Sequence, residues 1–408
     1  ILVYIASFEN ENGIQPFLST LDDLHKWNYS FLKDLNKTPD PALKKIVDSL
    51  TAGLINDHDK AKRIYKWVQQ HIKYVAFENG VEGFRPRQAS EVCAKRYGDC
   101  KDMSSIITQM LRMAGLKAYY TWIGTRDLPY NYTEIPSSIV NNHMISTVVI
   151  DGNWLFLDGT DPNAKFDMPP AFIQGKEALI NINENEFKVL TVPVALPEKN
   201  VLTDSTFLSM TDDGIKGCQS VRYNGYFGKD LYTSLLYKDE RETKEFINNK
   251  LRKGSNKFIL GKYYITRTAP DENIATITAD FELPGYSKKI GKEYYINLNL
   301  VKIFENQVID IEKRKVPMEF NYSFNIKQYH ILDIPRDYTV THLPKDFSFE
   351  NDLVKIDLLY KVVNDRIIAT QEVKNKKLMI YPSDFDEWNK PMKAIQPYYN
   401  ESVVLEKK

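Results

Sequence analysis

The sequence is short of cysteine, of net charge and of long apolar runs, and each shortage excludes something. Three cysteines, Cys93, Cys100 and Cys218, are all that 408 residues contain. They are too few and too scattered for a disulfide framework or for the spacing of a zinc site, so at least one thiol is free. Lysine plus arginine (54) equals aspartate plus glutamate (54), which leaves no broad positive field to gather nucleic acid or acidic lipid. No apolar run reaches the roughly 20 residues of a membrane-spanning helix, and the chain reads as soluble with no transmembrane segment. The opening Ile1-Leu2-Val3-Tyr4 lacks both methionine and a basic leader, which points to a mature or truncated chain.

What is present is the material of a folded protein. A 43% hydrophobic fraction supports sizeable cores, and 25 tyrosines with 20 phenylalanines lean the chain toward sheet. At roughly 150 residues per domain, two or three domains are expected.

Apolar residues at 3–4 spacing predict two helices between Asp40 and Tyr74, with Pro41 opening the first and Asn56-Asp57 preceding the second. A loop follows at 78–86, which holds Gly80, Gly83 and Pro86. Met103, Ile106, Ile107, Met110 and Leu111 then form the stripe of an amphipathic helix that starts at Cys100 and stops at Gly115. Beyond it the period falls to about two, predicting antiparallel strands at 117–123, 143–150 and 153–158. Residues 192–200, with two prolines, read as a linker. From Val201 onward alternating runs dominate, broken by one helical stretch at 232–251. The expected architecture is α+β: an α+β domain at 1–194, a β-rich domain with one helix at 195–315, and a β-sandwich half or small β domain at 316–408.

Cys100 stands at a helix start, where unpaired N–H groups and the positive dipole end favour a thiolate. A lone cysteine is more often a small buried hydrophobe, so a base is required beside it. Only six histidines exist: His25, His58, His71, His143, His330 and His342. Geometry selects His143. If Asp151-Gly152 is a two-residue type I′ turn, Ile150 pairs with Asn153 and Ile145 faces Asp158. His143 then shares a face with Asp158 and lies diagonal to it, within reach of an imidazole. A carboxylate there can hold the ring tautomer and stabilise the imidazolium. Taken singly, His143 reads as a strand-end histidine and Asp158 as a turn former; with Cys100 they read as a triad. Asp161 is a rival carboxylate, better suited to forming the turn ahead of Pro162.

Here the residues resemble a family. Arg96-Tyr97-Gly98-Asp99-Cys100-Lys101-Asp102, the helix ending in Leu111-Arg112-Met113-Ala114-Gly115, His143, and Trp154-Leu155-Phe156-Leu157-Asp158-Gly159-Thr160 look like the core of transglutaminase-like proteins. Tyr65–Tyr74 and Gly83-Phe84-Arg85-Pro86 are similar to bacterial members, which extends the resemblance to about 20–185. More weakly, the C-terminal half resembles the β-rich domain that follows such a core in exported bacterial proteins. The resemblance implies a papain-like core, no cofactor, a protein or peptide amide substrate, and a periplasmic or surface location. Two departures stand out: crosslinking transglutaminases have tryptophan after the cysteine, where this chain has Lys101, and Met144 follows the histidine where many relatives carry an aromatic pair. Gln88 sits where crosslinking relatives place a stabilising tryptophan, so its amide is a candidate oxyanion donor beside the Cys100 N–H, or else an ordinary loop glutamine. No loop has the carboxylate density of a calcium site. The activity expected is cysteine-dependent acyl transfer on amides, hydrolytic by default, with glutamine transamidation as one alternative and a non-catalytic protein- or polysaccharide-binding scaffold as the other.

Overall fold

The computed structural model describes residues 5–76, 80–267 and 273–408. The expected loop at 78–86 therefore lies in part outside the described residues, and its visible part includes a 3-10 turn at Gly80–Gly83. The chain divides into two units, Ile1–Val194 and Ala195–Lys408.

In the first unit a small hairpin, β1 (Ser7–Asn10) and β2 (Gly13–Pro16), precedes α1 (Leu21–Ser30). Helix starts follow their caps. The Asp40 carboxylate accepts from the Leu43 N–H at 2.7 Å and opens α2 (Pro41–Thr51), with Pro41 in the first turn where its missing N–H costs nothing. Asn56 does the same for α3 (Asp57–His71) through the Asp59 N–H. Then come β3 (Lys73–Tyr74), α4 (Ala89–Lys95), β4 (Tyr97–Gly98) and α5 (Cys100–Met113). Helix α5 ends at Ala114 and Gly115, whose φ of 85° suits glycine.

Five antiparallel strands complete this unit: β5 (Lys117–Ile123), β6 (His143–Ile150), β7 (Asn153–Leu157), β8 (Glu177–Asn183) and β9 (Glu186–Thr191), in spatial order β7-β6-β5-β8-β9. One sheet face, with Ala118, Val148 and Ile150, packs on Ile106, Ile107 and Met110 of α5, which α2 and α3 back from behind. Opposite, Ile123, Ile145, Phe156 and Ile180 close over Ile173 and Val192. Every α5 residue from Cys100 to Leu111 is buried. At roughly 1.5–3 kcal/mol per fully buried large apolar side chain, that helix anchors the unit.

In the second unit eight strands form one sheet, in spatial order Ile259–Arg267, Ala275–Pro284, Gly214–Tyr223, Val201–Thr211, Phe324–Asp333, Arg366–Asn375, Val354–Val363 and Phe347–Glu350. Val201–Thr211 pairs in parallel with Phe324–Asp333, so the sheet and its core run across position 315, where sequence patterning suggested a boundary. The helical stretch is two helices, Tyr226–Leu235 and Glu240–Leu251. A further helix, Phe385–Ala394, buries Trp388 and Met392. It tolerates Pro391 and falls in a region where strand-like alternation dominated the sequence pattern.

Candidate functional site

The turn that presents Cys100 is built from polar residues taken out of water. Asp99 caps α5, its Oδ1 accepting from the Lys101 and Asp102 N–H groups at 3.0 and 3.2 Å. Asp102 answers by accepting from the Asp99 N–H at 3.1 Å, a reciprocal capping box. Arg87 fixes Asp102 with its own N–H (2.9 Å), Nε (3.0 Å) and Nη2 (2.6 Å). Gly98 makes this possible, because a Cβ there would stand 2.4 Å from the Asp102 Cβ. Lys101 and Asp102 are both buried, and Lys101 Nζ donates to Asp99 Oδ2 at 2.5 Å. Burial pushes the Asp99 carboxyl up, against the pull of Lys101. The lysine charge is thus spent on Asp99. Cys100 itself is 5% exposed, and its N–H, at the first helical position, has no carbonyl behind it within the helix.

His143 and Asp158 come from one hairpin. Asp151 and Gly152 have φ of 50° and 77°, the signature of a type I′ turn. Ile150 pairs with Asn153 and Ser146 with Leu157, which brings His143 Nε2 to 2.8 Å from Asp158 Oδ2. The other carboxylate oxygen, Oδ1, accepts from the Thr160 N–H (2.9 Å) and Oγ1 (2.7 Å). Tyr65 of α3 donates to the Asp158 carbonyl at 2.6 Å. A Cβ on Gly159 would lie 2.7 Å from Ile107 Cδ1 and 3.3 Å from Met103 Cβ, so glycine lets this strand end lie directly on α5. With Nε2 taken by Asp158, Nδ1 is the nitrogen left for sulfur, and Cys100 is near enough to favour the charged form of the ring.

Electrostatics follow from this geometry. Burial works against a charged His143, but the charge and hydrogen bond of Asp158, joined by Cys100, outweigh it and push the imidazole up to about 10. Burial likewise opposes the Asp158 anion, yet His143 and Thr160 hold its carboxyl below the usual range. The Phe172 ring meets His143 edge-on at 5.5 Å and limits its rotation. Asp161 stands apart as a turn former: its Oδ1 accepts from the Asn163 N–H at 2.9 Å, and its carbonyl accepts from Gln69 at 2.7 Å.

Gln88 is engaged elsewhere. Its Oε1 accepts from the Asn36 N–H at 2.7 Å and its Nε2 donates to the Asp34 carbonyl at 3.2 Å. Asn36, at φ 55°, is the hub of that contact. Its Nδ2 donates to Ser105 Oγ and to the Tyr120 hydroxyl, both at 2.9 Å, and its Oδ1 accepts from the Ala89 N–H at 2.7 Å. The turn after α1 is thereby fastened across α4, α5 and β5. Its Leu32 and Leu35 join Tyr120, Trp122 and Met144 in an apolar cluster around Cys100. Sequence reasoning did not name this wall. Tyr120 and Trp122 share one face of β5 by simple alternation and were discoverable, but nothing local to Leu32 and Leu35 announces a cysteine as their neighbour.

The pattern that describes the Transglutaminase-like superfamily matches residues 44–159, and that of a domain of unknown function, DUF3858, matches residues 292–405. No curated protein matches the chain. Among solved structures, a candidate protease from Parabacteroides distasonis superposes with a TM-score of 0.55 at 8% identity, covering 99% of this chain and 63% of that one. The likeness is one of fold, and this chain spans less than two thirds of that protein's length. A candidate cysteine protease from Cytophaga hutchinsonii gives 0.24 at 18% identity, covering 32% of this chain and 44% of that one. EGTA-treated LapG of Legionella pneumophila gives 0.23 at 16%, covering 35% and 72%. No helix among the described residues is long and apolar enough to cross a membrane.

Proposed function

We propose that this chain, which carries a transglutaminase-like domain at residues 44–159, is a cysteine-dependent amide hydrolase with Cys100 as nucleophile, His143 as proton carrier and Asp158 as the group that orients and charges His143. The observation that supports this reading best is the buried His143–Asp158 hydrogen bond, with Cys100 near the ring and an imidazole stabilised in its charged form. A positively charged ring beside sulfur is the arrangement that activates a thiolate.

In this reading sulfur attacks the carbonyl carbon of an amide, and the developing oxyanion is met by the Cys100 N–H at the positive end of α5. His143 gives its proton to the departing nitrogen as the C–N bond breaks, leaving a thioester and a neutral imidazole. Water then attacks the thioester. His143 takes a proton from that water, the C–S bond breaks, and the acid leaves with the imidazolium and thiolate restored. Asp158 stays ionised throughout, which its contacts with Thr160 support. The substrate class is a peptide or protein amide.

The test is the rate of iodoacetamide alkylation at Cys100 against pH, read by peptide mass spectrometry in the intact chain and in His143→Ala. Fast labelling that persists below about pH 7, under the ordinary cysteine value of ~8.5, and that is lost in the variant supports the reading. A plain thiol titration unchanged by the variant would overturn it in favour of a non-catalytic scaffold.

A further inference from the structure

A groove of about 410 Å³ opens between the end of α3, the β3–β4 pair and the loop after Asp158. We propose that it is the subsite that receives a carboxylate side chain, Asp or Glu, of the peptide whose amide Cys100 attacks. The inference rests on the reading of Cys100 as nucleophile and adds the substrate feature that reading leaves open.

Position is the first argument. Gly159 and Thr160 line the groove and directly follow Asp158, while Met103 lines it one helical turn from Cys100. Strand β3 pairs in parallel with β4, Lys73 opposite Tyr97 and Tyr74 opposite Gly98, and the Val75 N–H donates to the Gly98 carbonyl at 2.8 Å. One wall of the groove is therefore bonded to the two residues that lead into Asp99 and Cys100. Gln69 braces another wall, its Nε2 donating to the Asp161 and Ala164 carbonyls at 2.7 and 3.0 Å.

Charge is the second argument. His71, Lys73 and Arg96 line the groove, and no aspartate or glutamate is among its described lining residues. In a chain whose total charges cancel, this is a local and directed cationic site. Among the described residues neither Lys73 nor Arg96 is ion-paired. The floor, with Ile72, Met103 and Gly159, is buried and mostly apolar, suited to the methylenes that carry a carboxylate.

Arg96 shows the third. It ends α4 at φ 61°, a left-handed position where glycine or asparagine is the low-cost residue. The backbone is held there from both sides, the Arg96 N–H donating to the Val92 carbonyl and the Arg96 carbonyl accepting from the Lys73 N–H, each at 2.9 Å. Its guanidinium lies 5.3 Å from the centre of the Trp67 ring, and His71 stacks on the same indole at 4.7 Å. The Arg96 guanidinium and the His71 ring are thus ordered before a ligand arrives, which lowers the entropy cost of binding. A guanidinium fork fits a carboxylate with two parallel hydrogen bonds.

The experiment separates binding from chemistry. The full chain carrying Cys100→Ala is applied to an array of immobilised hexapeptides in which each position in turn is Glu, Gln or Ala. The expected result is about tenfold tighter binding of Glu than of Gln at one position, reduced to less than about twofold by Arg96→Gln with Lys73→Gln. Equal binding of Glu and Gln at every position overturns the proposal, as does the absence of measurable binding by any acidic peptide. In chains that keep Cys100, the double substitution leaves the iodoacetamide rate unchanged; a matching loss would assign Arg96 and Lys73 to the stability of the Cys100 turn and overturn the subsite. Because the array needs no turnover, an inert Cys100 would sink the hydrolase reading while leaving the array result to stand on its own.

Discussion

Replacing Asp158 by asparagine keeps the shape of the site and removes the charge that holds His143 protonated. With Asp158 present the imidazole is raised from its ordinary 6.5 to about 10, even though burial acts to lower it. At about 1.4 kcal/mol per tenfold change in protonation equilibrium, the net preference for the charged ring is on the order of 5 kcal/mol, supplied by Asp158 with Cys100 against burial. In Asp158→Asn burial is opposed by Cys100 alone, and the ring should titrate below neutrality. Histidine C–H proton resonances read this directly, His143 being identified by its loss in His143→Gln. In the parent chain the His143 signal should stay at its protonated position up to about pH 9, and in the variant it should already be neutral at pH 7. Alkylation of Cys100 at neutral pH should fall at least tenfold with it, and any amide turnover by about 10²–10⁴-fold. The same interaction carries a stability signature. A raised histidine contributes stability that is fully present below 6.5 and is lost as pH rises through about 10, while the lowered Asp158 contributes above 3.8 and loses its share as pH falls. A His143 resonance that titrates near 6.5 in both proteins would refute the reasoning.

Arg87→Ala leaves Asp102 buried without its guanidinium partner and should destabilise the first unit by roughly 3–5 kcal/mol in urea unfolding; Asp102→Asn added to it should recover part of that loss. Asn36→Ala removes the hub that fastens the turn over Cys100, costs about 1–3 kcal/mol, and should raise the alkylation rate of Cys100 by a bulky maleimide several-fold more than the rate by iodoacetamide. His330 in the second unit is pulled down to about 4, chiefly by burial. It therefore contributes stability that is present above 6.5 and lost as pH falls through about 4, the opposite sign to His143, and His330→Gln should flatten the fall of the second unit's melting temperature across that range.

The hairpin that carries His143 and Asp158 was legible because its information is local: Asp151-Gly152 dictates the turn, the turn dictates the register, and alternation dictates the face. The start of α5 was legible for the same reason, since Asp99, Cys100 and the apolar stripe lie within a few turns of one another. Contacts between distant segments were not. Lysine and aspartate are residue types of the surface, and only Asp99 for Lys101, and Gly98 with Arg87 for Asp102, explain how they come to be buried. The role of Asn36 depends on groups more than fifty positions away. Likewise the parallel pairing of Val201–Thr211 with Phe324–Asp333 leaves no mark in either strand, which is why patterning alone suggested a boundary at a point the sheet runs across.

The hairpin has a consequence for chain shuffling. His143 and Asp158 are fifteen positions apart and joined by a two-residue turn, so they travel as one cassette. A recombination breakpoint between Gly115 and Asn142 separates Cys100 from the pair but leaves imidazole and carboxylate matched to each other. Chimeras of related chains should therefore tolerate junctions before His143 far better than junctions inside the hairpin, where one inserted or deleted residue turns the imidazole to the opposite face of the sheet.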